Sequence, residues 1–292
     1  MNSTRPPAHA VLSAVLAFGL WGVLPVYWKQ IGHLGSDVVL AQRVVWTMAT
    51  VLPMLMLRGE WAGFLRSLRD LELIKAHAWS AFLLAVNWGV FVWATQHGRI
   101  IDCSLGYFIN PLLNVLIGSR LLGERLSTLQ KLSIASAACG VATQIVLVGR
   151  FPWIGLLLAG SFALYGLARR QSPLGSLPGL GVETLVGIPV AAVFLIWSGQ
   201  NGVSIWGTAS AQDLLLIIGL GIITTIPLLG FAHGARQLPF ALLGVLQFLA
   251  PTGQFLVGAL MYHEPVGAAA LLSFGLIWTG VALFCGDLWR KR

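Results

Sequence analysis

The chain has 292 residues, 57% of them hydrophobic and only 10% charged, with a formal net charge of +8. A water-soluble domain carries about 25% charged residues, so composition excludes a surface that faces water on all sides. The three cysteines, Cys103, Cys139 and Cys285, lie in or beside apolar runs, which reads as packing rather than as a disulfide framework or a metal site.

In chain order, the apolar runs predict ten membrane spans at 8–28, 37–57, 76–97, 102–122, 129–149, 151–168, 182–199, 213–232, 239–260 and 266–286. Each is close to the ~20 residues that a bilayer core requires. The first run follows Arg5 and continues through Tyr27 without a small-residue cleavage site, so it reads as a span and not a signal peptide. Lysine and arginine set the orientation. With the N-terminus in the cytoplasm, the cytoplasmic segments hold Arg5, Arg58, Arg66, Arg69, Lys75, Arg120, Arg125, Lys131, Arg169, Arg170, Arg236, Arg290, Lys291 and Arg292. The opposite side holds only Lys29, Arg99 and Arg150, while Arg43 lies inside the second span. Both termini are therefore expected in the cytoplasm. The excess positive charge is topological, and no nucleic-acid partner is expected.

Sliding the chain on itself by 140 residues aligns Pro111 with Pro251, Gly118 with Gly258, Glu124 with Glu264, Ser133 with Ser273 and Gly140 with Gly280. Phe108/Phe248, Leu116/Leu256, Leu132/Leu272, Val141/Val281 and Ala142/Ala282 match as well. Shared apolarity does not favour proline or glutamate, so the chain reads as two related halves, 1–149 and 150–292. Five spans per half is an odd number, so the second half must be inserted upside down. The expected fold is all-α and polytopic, with ten transmembrane helices as two inverted five-helix repeats around a central cavity, a plan used by many secondary transporters.

The repeat proline falls in a polar stretch. Pro111 frees the carbonyl of Tyr107, and Pro251 frees that of Gln247. Tyr107, Asn110 and Asn114 share one helical face, and the matching face presents Gln247 and Gln254 with Ala250 between. Unpaired polar groups are costly in hydrocarbon unless they line a cavity or bond a neighbour. Each amide reads equally as helix glue or as cavity lining; the pairing of the two stripes favours a hydrated cavity between them.

Other candidates surround it. Asn87, Trp88, Phe91 and Thr95 fall on the third span, with Trp21, Tyr165 and Trp93 as further aromatic walls suited to an amphipathic or cationic molecule. An interfacial aromatic belt is the alternative, and it claims Trp28, Trp61, Trp153, Trp206 and Trp289. Arg43 either points inward, to hold a substrate carboxylate, or snorkels to the outer interface. Glu183 reads as a gate or as an interface residue, and Pro227, after Thr224 and Thr225, as another loosened turn. Asp37, Asp102, Asp213 and Asp287 mark span ends and read as solvated; Glu124 and Glu264 are expected to cap the following helix or pair with a loop arginine.

No lysine precedes a serine or threonine, so the nucleotide-binding loop is missing. All five aspartates lie at span ends or in loops and no His-x-x-x-His occurs, which argues against an intramembrane lipid-modifying enzyme. A scaffold would not need matched polar stripes. The remaining expectation is a monomeric transporter in a lipid bilayer, with a small-molecule substrate and neither cofactor nor metal.

"SLGYFINPLLN" with "LGERL", "QRVVWT", "VNWGVFVWA", "FALYGLARR", "ETLVGIPVA" and "ITTIPLLGFA" resemble RarD-type transporters of the EamA branch of the drug/metabolite transporter superfamily. The resemblance runs through nearly all ten spans. It implies a basket of ten helices in the bacterial inner membrane that exports small metabolites. Amino acids are the cargo of related branches, and the RarD name is associated with chloramphenicol sensitivity.

Overall fold

Helices follow the apolar runs in the computed structural model, which describes residues 6–96, 100–148, 153–202, 205, 209–263 and 266–290. Arg5, Arg99, Arg150, Trp206, Glu264, Lys291, Arg292, the junction at 149–152 and the side chains of Asp102 and Trp289 lie outside the described residues. The long helices are α1 (Ala8–Gln30), α2 (Ser36–Leu57), α4 (Leu71–Gln96), α5 (Ile100–Arg120), α6 (Thr128–Val148), α7 (Trp153–Gln171), α8 (Ser176–Gln200), α9 (Ala211–Gln237) and α12 (Ala268–Arg290). Two eight-residue helices, α10 (Phe240–Gln247) and α11 (Leu249–Leu256), continue into a π-helical stretch, Val257–Met261. Short α3 (Trp61–Ser67) joins α2 to α4; it is too brief to show as an apolar run. No strand occurs among the described residues.

Local chemistry sets the ends. Pro7 precedes α1 and Pro239 precedes α10, where a missing N–H costs nothing. Gly59 stops α2 at φ +68°, the left-handed region that favours glycine. Ser210 and Asp213 form a reciprocal capping box at the start of α9. The two repeat prolines behave differently. Pro111 sits inside α5 without breaking it, whereas the chain breaks at Phe248, just after the Gln247 whose carbonyl Pro251 leaves unpaired. Pro227 likewise lies within an unbroken α9. Among the described residues helical structure is thus interrupted beside Pro251 and continuous through Pro111 and Pro227.

Among the described residues, six segments are long and apolar enough to cross a membrane: Ala8–Gln30, Ser36–Leu57, Leu71–Thr95, Ser176–Gln200, Ala211–Gln237 and Phe240–Met261. Large apolar side chains cover the outside, and several polar and charged ones are buried among the apolar residues within. Val190 is 74% exposed and Leu215 70%, while Arg43, Arg169, Glu183, Asn110 and Gln247 are buried. That inversion suits hydrocarbon as the surrounding solvent.

Helix seams are built on small residues, which allow close backbone approach. Helices α6 and α12 run antiparallel: Ser133 Oγ donates to Gly280 O at 2.6 Å and Ser136 Oγ to Leu276 O at 2.7 Å, while Gly140 packs on Ser273. Helices α1 and α9 meet where Ala14 faces Gly234 and Ala17 faces Gly230; Gly22 of α1 meets Gly253 of α11. Helices α2 and α8 also run antiparallel, with Val44 against Gly187 and Leu55 beside Gly181. Phe18, Trp21, Phe162, Tyr165 and Phe231 interlock at the centre, with ring centroids 4.9 Å apart for Phe162 and Phe231.

One end of the bundle is tied by polar bonds. Both Glu124 carboxylate oxygens accept backbone N–H bonds at the start of α10, from Phe240 at 2.6 Å and Ala241 at 3.0 Å. This suits a helix N-terminus. The capped helix is α10 and not the following α6, and the paired arginine, Arg170 at 3.8 Å, is on α7 and not in a loop. Arg170 also donates to Leu238 O, and Arg236 to Ser172 O and Leu174 O. Asp287, expected in solvent, is 4% exposed.

Candidate functional site

Beside the aromatic centre, away from the end tied by Glu124, lies a cavity of about 50 Å³, room for a few water molecules. It is bordered by α1, α2, α4, α5, α7, α10 and α11. Among the predicted residues, Arg43, Asn87, Trp88, Tyr107, Gln247, Pro251 and Gln254 share its wall. The helix break after Gln247 therefore borders this space, as expected for interrupted backbone in a membrane helix.

Arg43 points inward and not to the interface, with 3% of its surface exposed. Its Nε donates to Thr224 Oγ1 at 2.8 Å, and its guanidinium lies 3.5 Å from the Trp88 ring centroid and 5.2 Å from that of Trp28. No carboxylate pairs with it among the described residues. Asn87 is anchored by Nδ2 bonds to Leu158 O at 2.9 Å and Ser161 Oγ at 3.1 Å. Gln254 Nε2 donates to Trp21 O at 3.2 Å.

Asn110, Asn114 and Tyr165 are not at the cavity wall. Asn110 Nδ2 donates to Ala159 O at 2.7 Å across the α5–α7 seam. Asn114 Nδ2 donates to Gln247 Oε1 at 2.6 Å, so at that point the two polar stripes touch directly. Tyr165 instead donates through its hydroxyl to Glu183 Oε2 at 3.4 Å. Glu183 is buried, ties α4, α7 and α8 together, and accepts from Ser80 Oγ at 2.5 Å and Arg169 Nη1 at 3.4 Å. Neither Pro111 nor Pro227 reaches the wall.

Sequence reasoning missed Phe18, Pro25 and Phe162 as wall residues, and it assigned Trp28 to the interfacial belt although it borders the cavity. A signal was present, because Phe18, Trp21, Pro25 and Trp28 recur at helical spacing along one face of α1. A second, more apolar crevice of about 520 Å³ lies between α2, α4 and α8, and Trp88 is common to both spaces.

A bundle that is all helical among the described residues, apolar outside, with six described segments able to cross a bilayer and a pocket holding buried polar groups at an interrupted helix, fits a multi-pass membrane protein of transporter type. No family model matches the chain. A protein named RarD from Salmonella typhi is 38% identical over 279 residues, covering 96% of this chain and 95% of that protein. An uncharacterized transporter of Pseudomonas aeruginosa is 39% identical over 276 residues, 94% of this chain and 92% of its own. From the same organism, a protein named chloramphenicol-sensitive protein RarD is 31% identical over 295 residues, 99% and 98% of the two chains. A solved crystal structure of a protein superposes with a TM-score of 0.71 at 22% identity, over 97% of this chain and 99% of that one, which supports the fold alone. The chain belongs to the RarD family, and it is a transporter and not an enzyme.

Proposed function

We propose that the chain is a secondary transporter of the bacterial inner membrane that exports small metabolites, amino acids or related amphipathic compounds, by alternating access. The observation that carries this reading is a pocket inside the helical bundle whose largely aromatic wall also holds Arg43, Asn87, Tyr107, Gln247 and Gln254, beside a helix break. A carboxylate seated on Arg43 would have its charge met inside the membrane.

The ten-span, inverted-repeat plan of 1–149 and 150–292 belongs to the same proposal. Its support is the α6–α12 seam, where repeat-matched positions 133/273 and 140/280 meet crosswise on antiparallel helices. Matched Phe108 and Phe248 also stack on each other, centroids 6.4 Å apart. Contacts exchanged in this reciprocal way are what a two-fold relation between halves requires. Basic residues gather at the end tied by Glu124, Arg169, Arg170 and Arg236, which supports a cytoplasmic location for it and for both termini. The pocket would then be shut towards the cytoplasm, and one chain suffices to form it. Export follows from the resemblance. Efflux of an amphenicol-type drug is the second reading, favoured by the name of the Pseudomonas relative.

Counterflow in proteoliposomes with amino acids and amphenicols, with and without a pH gradient, tests the function. Tyr107→Leu and Gln254→Leu should insert normally and lose flux. Unchanged flux in both would reject the pocket as the route.

A further inference from the structure

Among the described residues two arginines, Arg43 and Arg169, are buried in this bundle, and the chain treats them differently. Arg169, 1% exposed at its side chain, is matched by Glu183. Arg43 is matched by no acid among the described residues, although an unpaired charge in a membrane interior is expensive. Its Nε is committed to Thr224 and its plane to Trp88, at 3.5 Å. The two terminal NH₂ groups have no protein hydrogen-bond partner among the described residues, and Arg43 borders the cavity. A stacked guanidinium with that edge free is pre-oriented for a bidentate carboxylate.

The rest of the wall carries no opposing charge. Arg43 is its one ionised side chain among the described residues; the other polar groups are three amides, a phenol and the indoles of Trp21, Trp28 and Trp88, all uncharged. The aromatic face of Trp88 that would attract a cationic ligand is already occupied by Arg43. A ligand ammonium near it would meet a like charge where water screens little.

We propose that this cavity selects its ligand by negative charge: a small carboxylate anion bound through Arg43 is the recognised species, and an ammonium on the same molecule is dispensable. This rests on the transport reading and sharpens its substrate class. Amino acids qualify through their carboxylate, simple organic acids qualify equally, and amines and neutral amphenicols do not.

Three compounds with one carbon skeleton test it: leucine, 4-methylpentanoate, which lacks the ammonium, and 3-methylbutylamine, which lacks the carboxylate. Binding to the full chain in nanodiscs is measured by titration calorimetry, and counterflow is measured in parallel. The two acids should bind within about threefold of each other, and the amine about a hundredfold more weakly, the scale set by loss of a buried charge partner. Arg43→Lys should keep the order with weaker binding, and Arg43→Met should abolish it. Equal binding of the amine, undiminished binding of the acids by a folded Arg43→Met protein, or binding by none of the three would overturn the proposal. Charge-ordered binding without counterflow would instead sink the transport reading alone. Counterflow indifferent to charge would sink the selectivity and leave transport standing.

Discussion

The crossing of α6 and α12 offers a quantitative test that needs no substrate. A Cβ added at Gly140 would lie 2.7 Å from the Ser273 carbonyl oxygen, and one at Gly280 would lie 2.6 Å from that of Ser133. Ordinary contact begins near 3.4 Å, so the two helices must separate by ~0.7 Å, and the obstacle is backbone that cannot turn aside. Overpacking of this kind costs about 1–3 kcal/mol. Retreat also stretches the Ser133–Gly280 and Ser136–Leu276 bonds. Gly140→Ala and Gly280→Ala should each lower the melting temperature of the detergent-purified protein. The double variant should cost less than the sum, because one separation of the helices relieves both clashes. Gly275→Ala is the control, on the same helix with nothing within 4 Å of its added Cβ. Unchanged melting in both single variants, or a strictly additive double, would refute the reciprocal crossing.

Glu124→Gln should cost about 1–2 kcal/mol, because the α10 cap loses its charge while keeping one acceptor oxygen; thermal melting reads this, and the loss should shrink in high salt. Glu183→Gln and Arg169→Met should each destabilise by about 3–5 kcal/mol by stranding the buried partner. The double variant should be more stable than either single in the same melt, and an additive loss would contradict a direct pair.

Much of this architecture is readable from periodicity, since each predicted span corresponds to a helix or, at 239–260, to a broken one. Arg43 was legible because a lone arginine inside a span needs a reason. The facing of the amides was not. Tyr107, Asn110 and Asn114 share a stripe, yet a stripe on a helix is wide enough that one edge borders the pocket while the other meets α7 and α10. Trp28 looked interfacial from its place near a span end, because distance along a helix says nothing about direction around it. Glu124 finds its cap 116 residues away, and no local pattern reports so remote a partner. Arg169 counted only as topological charge until its helix brought it to Glu183.

Matched prolines with unmatched outcomes carry a consequence of their own. The helix is interrupted at Phe248 within residues 240–256, while α5, with the same proline at the same station, is continuous. Were the proposed halves to trade shapes during a cycle, the interruption would migrate: 240–256 would become continuous and α5 would break beside Phe108. Spin labels flanking Phe108 and Phe248 should then report opposite changes in bend as the pocket switches sides, each half wearing in turn the form its twin has just discarded.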